Sequence, residues 1–135
     1  MPPHSQTSPQ DLDPRMRALL IASGPINAIG ALIFAPPFPW VRRLFGLPDG
    51  HVFYLWVLSS WILVFGIAYW SMGKAGRIDR TFLAVGAAGK ATFALTLIAL
   101  AMRGEISPLA SVLGLPDLAI AGVFTAWLLG TRDAA

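Results

Sequence analysis

Four apolar segments, each long enough to cross a lipid bilayer as a single helix, leave this chain very few folds. They run from about Arg17 to Ala35, Val52 to Met72, Thr81 to Met102 and Leu109 to Gly130. Each holds roughly 19–22 residues, which at about 1.5 Å per residue matches a hydrocarbon core about 30 Å thick. Inside that core every backbone N–H and C=O must find a partner within the protein, so only helices or a closed barrel can span it. The segments lack the alternation of strands and are too few for a barrel. The expected fold is therefore all-α, a transmembrane four-helix bundle. Composition agrees: 56% of the 135 residues are hydrophobic and 13% charged, where a soluble domain carries about 25% charge. A core in so short a chain cannot absorb that much apolar surface.

Residues 1–14, MPPHSQTSPQDLDP, are polar and proline-rich and are expected to form a disordered tail. The bundle is expected over 15–131, with 132–135 as a second tail. A signal peptide would carry its charges first, then a short apolar run and a small-residue cleavage site. Here a long polar stretch comes first, and the apolar run ends in Phe34-Ala35-Pro36-Pro37, so the first segment is expected to be retained. Four spans put both termini on one side. That side holds Arg15, Arg17, Lys74, Arg77, Arg80 and Arg132, against Arg42, Arg43 and Arg103 opposite. Six against three favours cytoplasmic termini by the positive-inside rule.

Between the first two spans, Pro39 to Gly46 can form a short helix lying at the membrane surface. Trp40, Val41, Leu44 and Phe45 would then share one face, with Arg42 and Arg43 on the other, placing rings among headgroups and guanidiniums on phosphates. A plain loop with a Trp anchor is the competing reading. Pro48-Asp49-Gly50 reads as a turn into the second helix. Phe53, Tyr54 and Trp56 at one end of that helix, Tyr69 and Trp70 at the other, and Trp127 in the fourth fit an interfacial aromatic belt better than a ligand cage.

Charge is nearly absent from the spans, with two exceptions. Lys90 lies about halfway along the third and Asp117 falls in the fourth. A lone charge near the bilayer centre costs about 2.5–3.5 kcal/mol on insertion scales, so the two are expected to face one another. Counting inward from each membrane entry places Asn27 and Lys90 about 13–15 Å deep, and Ser59, Ser60 and Asp117 about 12 Å from the opposite surface. The expectation is a polar layer near the midplane built from Asn27, Ser59 or Ser60, Lys90 and Asp117. Gly86 and Gly89, with Ser107, Ser111, Gly114, Ala121 and Thr125, supply small residues for close packing. Gly24-Pro25 and Pro116 are expected to kink or loosen the turns before Asn27 and Asp117. The layer admits two uses. It can fix helix register, since buried ion pairs specify arrangement, or it can orient a headgroup, a quinone carbonyl or a transported proton.

Other chemistry finds little footing. Without cysteine there are no disulfides or thiolate metal sites. His4 lies in the tail and His51 at a membrane edge, so neither metal spacing nor a nucleophile–base set emerges, and no catalytic residue is assigned. The chain is basic, with a net charge of +3. Its cations cluster at span ends rather than in an aromatic-interleaved patch, which argues against nucleic acid.

Several short elements together resemble the small bacterial four-helix membrane proteins grouped as DoxX-like. They are Asn27, the Pro39-to-Pro48 segment with Phe45-Gly46-Leu47-Pro48, Gly66 to Tyr69, Gly89-Lys90 and Pro116-Asp117. Nearly the whole span from about 17 to 130 is covered. The resemblance implies a bacterial inner membrane and association with a quinone or a redox partner. It carries no catalytic residue onto this chain. Three functions stand as expectations. The first is an accessory or interaction subunit, alone or as a homo-oligomer, with no cofactor of its own and leaning away from enzymatic activity. The second is a lipid- or quinone-binding protein using Lys90 and Asp117, and the third a small proton-coupled transporter.

Overall fold

The computed structural model describes residues 12–131. Six helices follow in order: α1 (Pro14–Phe34), α2 (Pro39–Leu44), α3 (Val52–Ala75), α4 (Arg80–Met102), α5 (Pro108–Val112) and α6 (Leu115–Gly130). α1, α3, α4 and the combined span Pro108–Gly130 are each long and apolar enough to cross a membrane. The all-α four-helix bundle is thus the observed architecture, and the chain is a multi-pass membrane protein. Its proximal end carries Pro14, Ala75, Arg80 and Gly130, and its distal end carries α2 and α5.

Helix starts follow local chemistry. Asp13 accepts from Arg15 N and Asp79 from Phe82 N, while His51 and Ser107 do the same for α3 and α5. Proline occupies the first turn of α1, α2, α5 and α6, where its missing N–H has no intrahelical partner to lose. The expected tail therefore ends earlier than residue 14. Leu12 packs on the proximal core and Asp13 caps α1, while residues 1–11 and 132–135 lie outside the described residues.

The fourth span is not one continuous helix. It breaks at Leu113 and Gly114, and Pro116 belongs to the first turn of α6. The proline begins a helix rather than kinking one, and Asp117 gains a place in a first turn. α1 does run through Pro25 as a single helix.

The helices pair as two hairpins, α1 with α3 and α4 with α6. Within each, small residues bring backbones together, as in other membrane helix pairs. A Cβ on Gly66 would lie 2.6 Å from Asn27 Cβ, and one on Gly73 would lie 2.8 Å from Ile21 Cγ1. In the second hairpin, a Cβ on Gly114 would lie 2.9 Å from Ala94 Cα. Ala121 is buried there as expected, whereas Thr125 faces outward. Ser107 and Ser111 serve α5 itself, through its N-cap and a bond to Pro108 O.

Between the hairpins, larger side chains meet. At the proximal end Met16, Leu20, Tyr69, Leu83, Ala87, Ile120 and Phe124 form one core. Tyr69 packs there with its ring centroid 5.8 Å from that of Phe82, edge to face, and 5.4 Å from that of Phe124, tilted. A smaller cluster of Phe34, Leu47, Leu97 and Ala110 closes the distal end.

The surface segment does form a helix, α2, but its arginines part company. Arg43 is exposed and pairs with Asp49 at 3.5 Å. Arg42 is only 4% exposed and donates from one terminal nitrogen to Ala35 O at 2.9 Å and Phe34 O at 3.4 Å. Six residues make less than two turns, and the chain reverses tightly at Gly46, whose φ of 67° places it in the left-handed region. Ser107 also packs directly on Gly46, leaving no room for a side chain. That reversal turns Arg42 inward onto the C-terminus of α1, where the terminal carbonyls and the helix dipole favour a cation. Trp40 and Leu44 stay exposed as expected. Arg42→Met is expected to destabilise the fold by about 1.5–3 kcal/mol, the worth of charged hydrogen bonds. Arg43→Gln should stay within about 0.5 kcal/mol. Chemical unfolding of both variants in the same detergent checks the difference.

Candidate functional site

Asn27 is fixed before it meets any charge. It lies on the α3-facing side of α1, where Gly66 leaves space for its Cβ. Its Nδ2 donates to Ile62 O at 2.9 Å. A carbonyl accepts only from a donor, so this bond turns Asn27 Oδ1 toward α4, where it accepts from Lys90 Nζ at 2.9 Å.

Lys90 is 7% exposed and forms an ion pair with Asp117 Oδ1. Asp117 stands in the first turn of α6, and the positive end of that helix favours its carboxylate. The third polar neighbour is Tyr69, whose ring centroid lies 5.6 Å from Lys90 Nζ, within cation–π range. The tyrosine reaches α4 because Gly86, one turn before Lys90, has no Cβ to meet its hydroxyl.

The structure thus brings together Asn27, Lys90 and Asp117, one residue from each of three helices. It separates the serines from them. Ser59 is buried, but its Oγ donates to Ala31 O at 2.7 Å, a turn beyond Asn27. Ser60 faces outward, because adjacent helical residues point about 100° apart. Neither serine reaches Lys90. Tyr69, expected in an interfacial belt, is instead 1% exposed in the proximal core. Phe53, Tyr54, Trp56 and Trp70 do lie exposed near the ends of α3, and Trp70 carries Lys74 at 5.7 Å. A signal for Tyr69 was present. Ser59, Gly66 and Gly73 recur every seven residues, marking the buried stripe of α3, and Tyr69 falls on that stripe three residues after Gly66.

Above the trio, between the two apolar clusters, lies a cavity of about 520 Å³. That size is ordinary for a small-molecule site. Its walls come from both hairpins: Ile29, Ile33 and Phe34 of α1, Leu58, Trp61 and Phe65 of α3, Gly89 and Phe93 of α4, and Val112 and Pro116 of the broken span. Asn27, Tyr69, Lys90 and Asp117 supply its polar groups. Ile29 is 61% exposed and Trp61 60% exposed, so the cavity opens sideways, at mid-helix, onto the surface that faces lipid. A scan of protein-family models gave no match, and neither the curated proteins nor the solved structures held one.

The electrostatics make the trio a coupled unit. Lys90→Met alone and Asp117→Leu alone are each expected to destabilise the bundle by about 3–5 kcal/mol, since each strands a buried charge. The double substitution should recover most of that, short of about 1–3 kcal/mol for Asn27 Oδ1 left without a donor. A double-mutant cycle on unfolding in detergent measures the coupling. In the same assay Ser59→Ala should cost about 1 kcal/mol, the net worth of one hydrogen bond. Ser60→Ala should change stability by less than about 0.5 kcal/mol.

Proposed function

We propose that this membrane protein binds a lipid-soluble amphiphile, with the apolar part in the mid-depth cavity and the polar end against Lys90 and Asp117. The observation that carries this reading is the coincidence of the two features. An apolar space of about 520 Å³ ends on the ion pair and opens toward lipid rather than water. An ion pair that served architecture alone would be best enclosed by packed side chains, which strengthen it by excluding solvent. Here it borders open space instead. A lipid or a quinone has the required form. On this reading the chain resembles the DoxX-like proteins of the bacterial inner membrane, and six Lys and Arg against three favour cytoplasmic termini.

A second reading rests on its own observation. Lys90 is already matched by one carboxylate and one amide oxygen, so the trio is charge-balanced without any ligand. On that reading the protein is an accessory or interaction subunit, and the trio sets helix register.

Gly89 separates the two. It lines the cavity, and a Cβ built on it meets nothing within 4 Å. Gly89 is exposed at the open side of the cavity, so Gly89→Phe should block the cavity and leave folding intact, because glycine is the poorer helix former of the two. Wild type and variant would be transferred from the membrane to lipid nanodiscs without detergent, and their bound small molecules extracted and weighed by mass spectrometry. The expected result is a bound species in wild type that is depleted at least about tenfold in Gly89→Phe, a loss of about 1.4 kcal/mol or more in binding. Equal complements in both proteins would remove the ligand reading and leave the accessory one.

A further inference from the structure

The hydrogen-bonding inventory of the site restricts what the polar end of a ligand can be. An ammonium has three donors, and Lys90 uses two, on Asn27 Oδ1 and Asp117 Oδ1. The Tyr69 hydroxyl makes no hydrogen bond among the described residues, although the side chain is 1% exposed. It is not sealed in, as Arg42 Nε is; Tyr69 and Gly86, on which the hydroxyl rests, both line the cavity. Two donors, one from α3 and one from α4, are therefore left for an acceptor entering from the cavity. A buried phenol without a partner forfeits a hydrogen bond that an occupant can supply.

Charge narrows the choice further. Lys90 and Asp117 sum to zero, and no other ionisable group except Tyr69 lines the cavity. A carboxylate or phosphate would have to displace Asp117 from Lys90, stranding one anion at low dielectric. A cation would meet Lys90 itself. Only a neutral acceptor leaves the ion pair intact.

We infer that the ligand of this cavity is a neutral amphiphile whose polar end is an uncharged oxygen acceptor, a carbonyl being the simplest, bound by the Tyr69 hydroxyl and the third N–H of Lys90. This rests on the cavity-binding reading above and adds to it the chemical class of ligand and the role of Tyr69. Both donors lie within one turn of α4, because Tyr69 seats on Gly86 and Lys90 is four residues on. A carbonyl oxygen, with two lone pairs, can accept from both.

The test uses the full chain in nanodiscs and three photo-crosslinking probes of equal chain length: a long-chain methyl ketone, the matching alkane and the matching fatty acid. Saturation of labelling gives apparent affinities. The ketone is expected to bind about tenfold more tightly than either of the others, the worth of one to two net hydrogen bonds. Tyr69→Phe should weaken the ketone about five- to tenfold and leave the alkane unchanged. Its unfolding should also be unchanged, because the hydroxyl it removes has no protein partner. Should Tyr69→Phe bind the ketone like wild type, or the fatty acid bind best, the neutral-acceptor inference is overturned. In that case alkane labelling that disappears in Gly89→Phe keeps the cavity reading. No labelling by any of the three probes overturns both.

Discussion

One ammonium joins the two halves of this protein. Lys90 reaches across the gap between hairpins, taking its amide acceptor from α1 and its carboxylate from α6. In a bilayer the hydrophobic effect does not drive helices together, since lipid tails are as apolar as the side chains they would displace. Association then depends on packing and on polar contacts that hydrocarbon cannot replace. A charged group at mid-depth has nowhere else to go, so the Asn27–Lys90–Asp117 trio fixes both the separation and the register of the hairpins. Asn27 is itself held by Ile62 O, so the link extends to all four spanning segments.

That link explains why a cavity exists beside the trio. Inside each hairpin, glycines at 66, 73 and 114 bring backbones close enough that a Cβ would collide. Between hairpins the spacers are rings: Tyr69 against Phe82 and Phe124, and Phe34 against Phe93 at 5.8 Å. Aromatic side chains fill the proximal and distal ends but hold the helices apart in between. Gly89 lies in that interval, with open space where a side chain would be. The polar groups are thus left at the edge of a void that reaches the lipid-facing surface.

Helix ends are handled by a second device, arginines placed on C-terminal carbonyls. Arg17 donates to Gly73 O at 3.0 Å, Arg42 to Ala35 O at 2.9 Å and Arg80 to Leu128 O at 2.7 Å. Each donates to a carbonyl in or just beyond the last turn of a helix, and each sits at the negative end of a dipole. The basic residues that set the charge bias of the span ends therefore also close α1, α3 and α6. This gives these cations a structural duty that a count of Lys and Arg alone does not reveal.

What the sequence determined by itself was set by the solvent. Apolar runs of bilayer length must become helices, because the backbone has no other partner in hydrocarbon. Two charges inside such runs must meet, because neither can stay alone there. The four spans and the meeting of Lys90 with Asp117 were legible for those reasons, and Asn27 joined them by its depth, whereas α2 stood open between a short helix and a loop. Tertiary structure decided whatever depended on rotation about a helix axis or on a chain reversal. Ser59 and Ser60 are indistinguishable by depth, yet only one faces α1. Tyr69 sits near a helix end like a belt residue, but the stripe of Ser59, Gly66 and Gly73 turns it inward against Gly86. Arg42 and Arg43 are neighbours of identical chemistry, and the tight turn at Gly46 buries one while exposing the other. Depth follows from counting residues, whereas azimuth is settled by which faces pack, and the cavity is a consequence of azimuth.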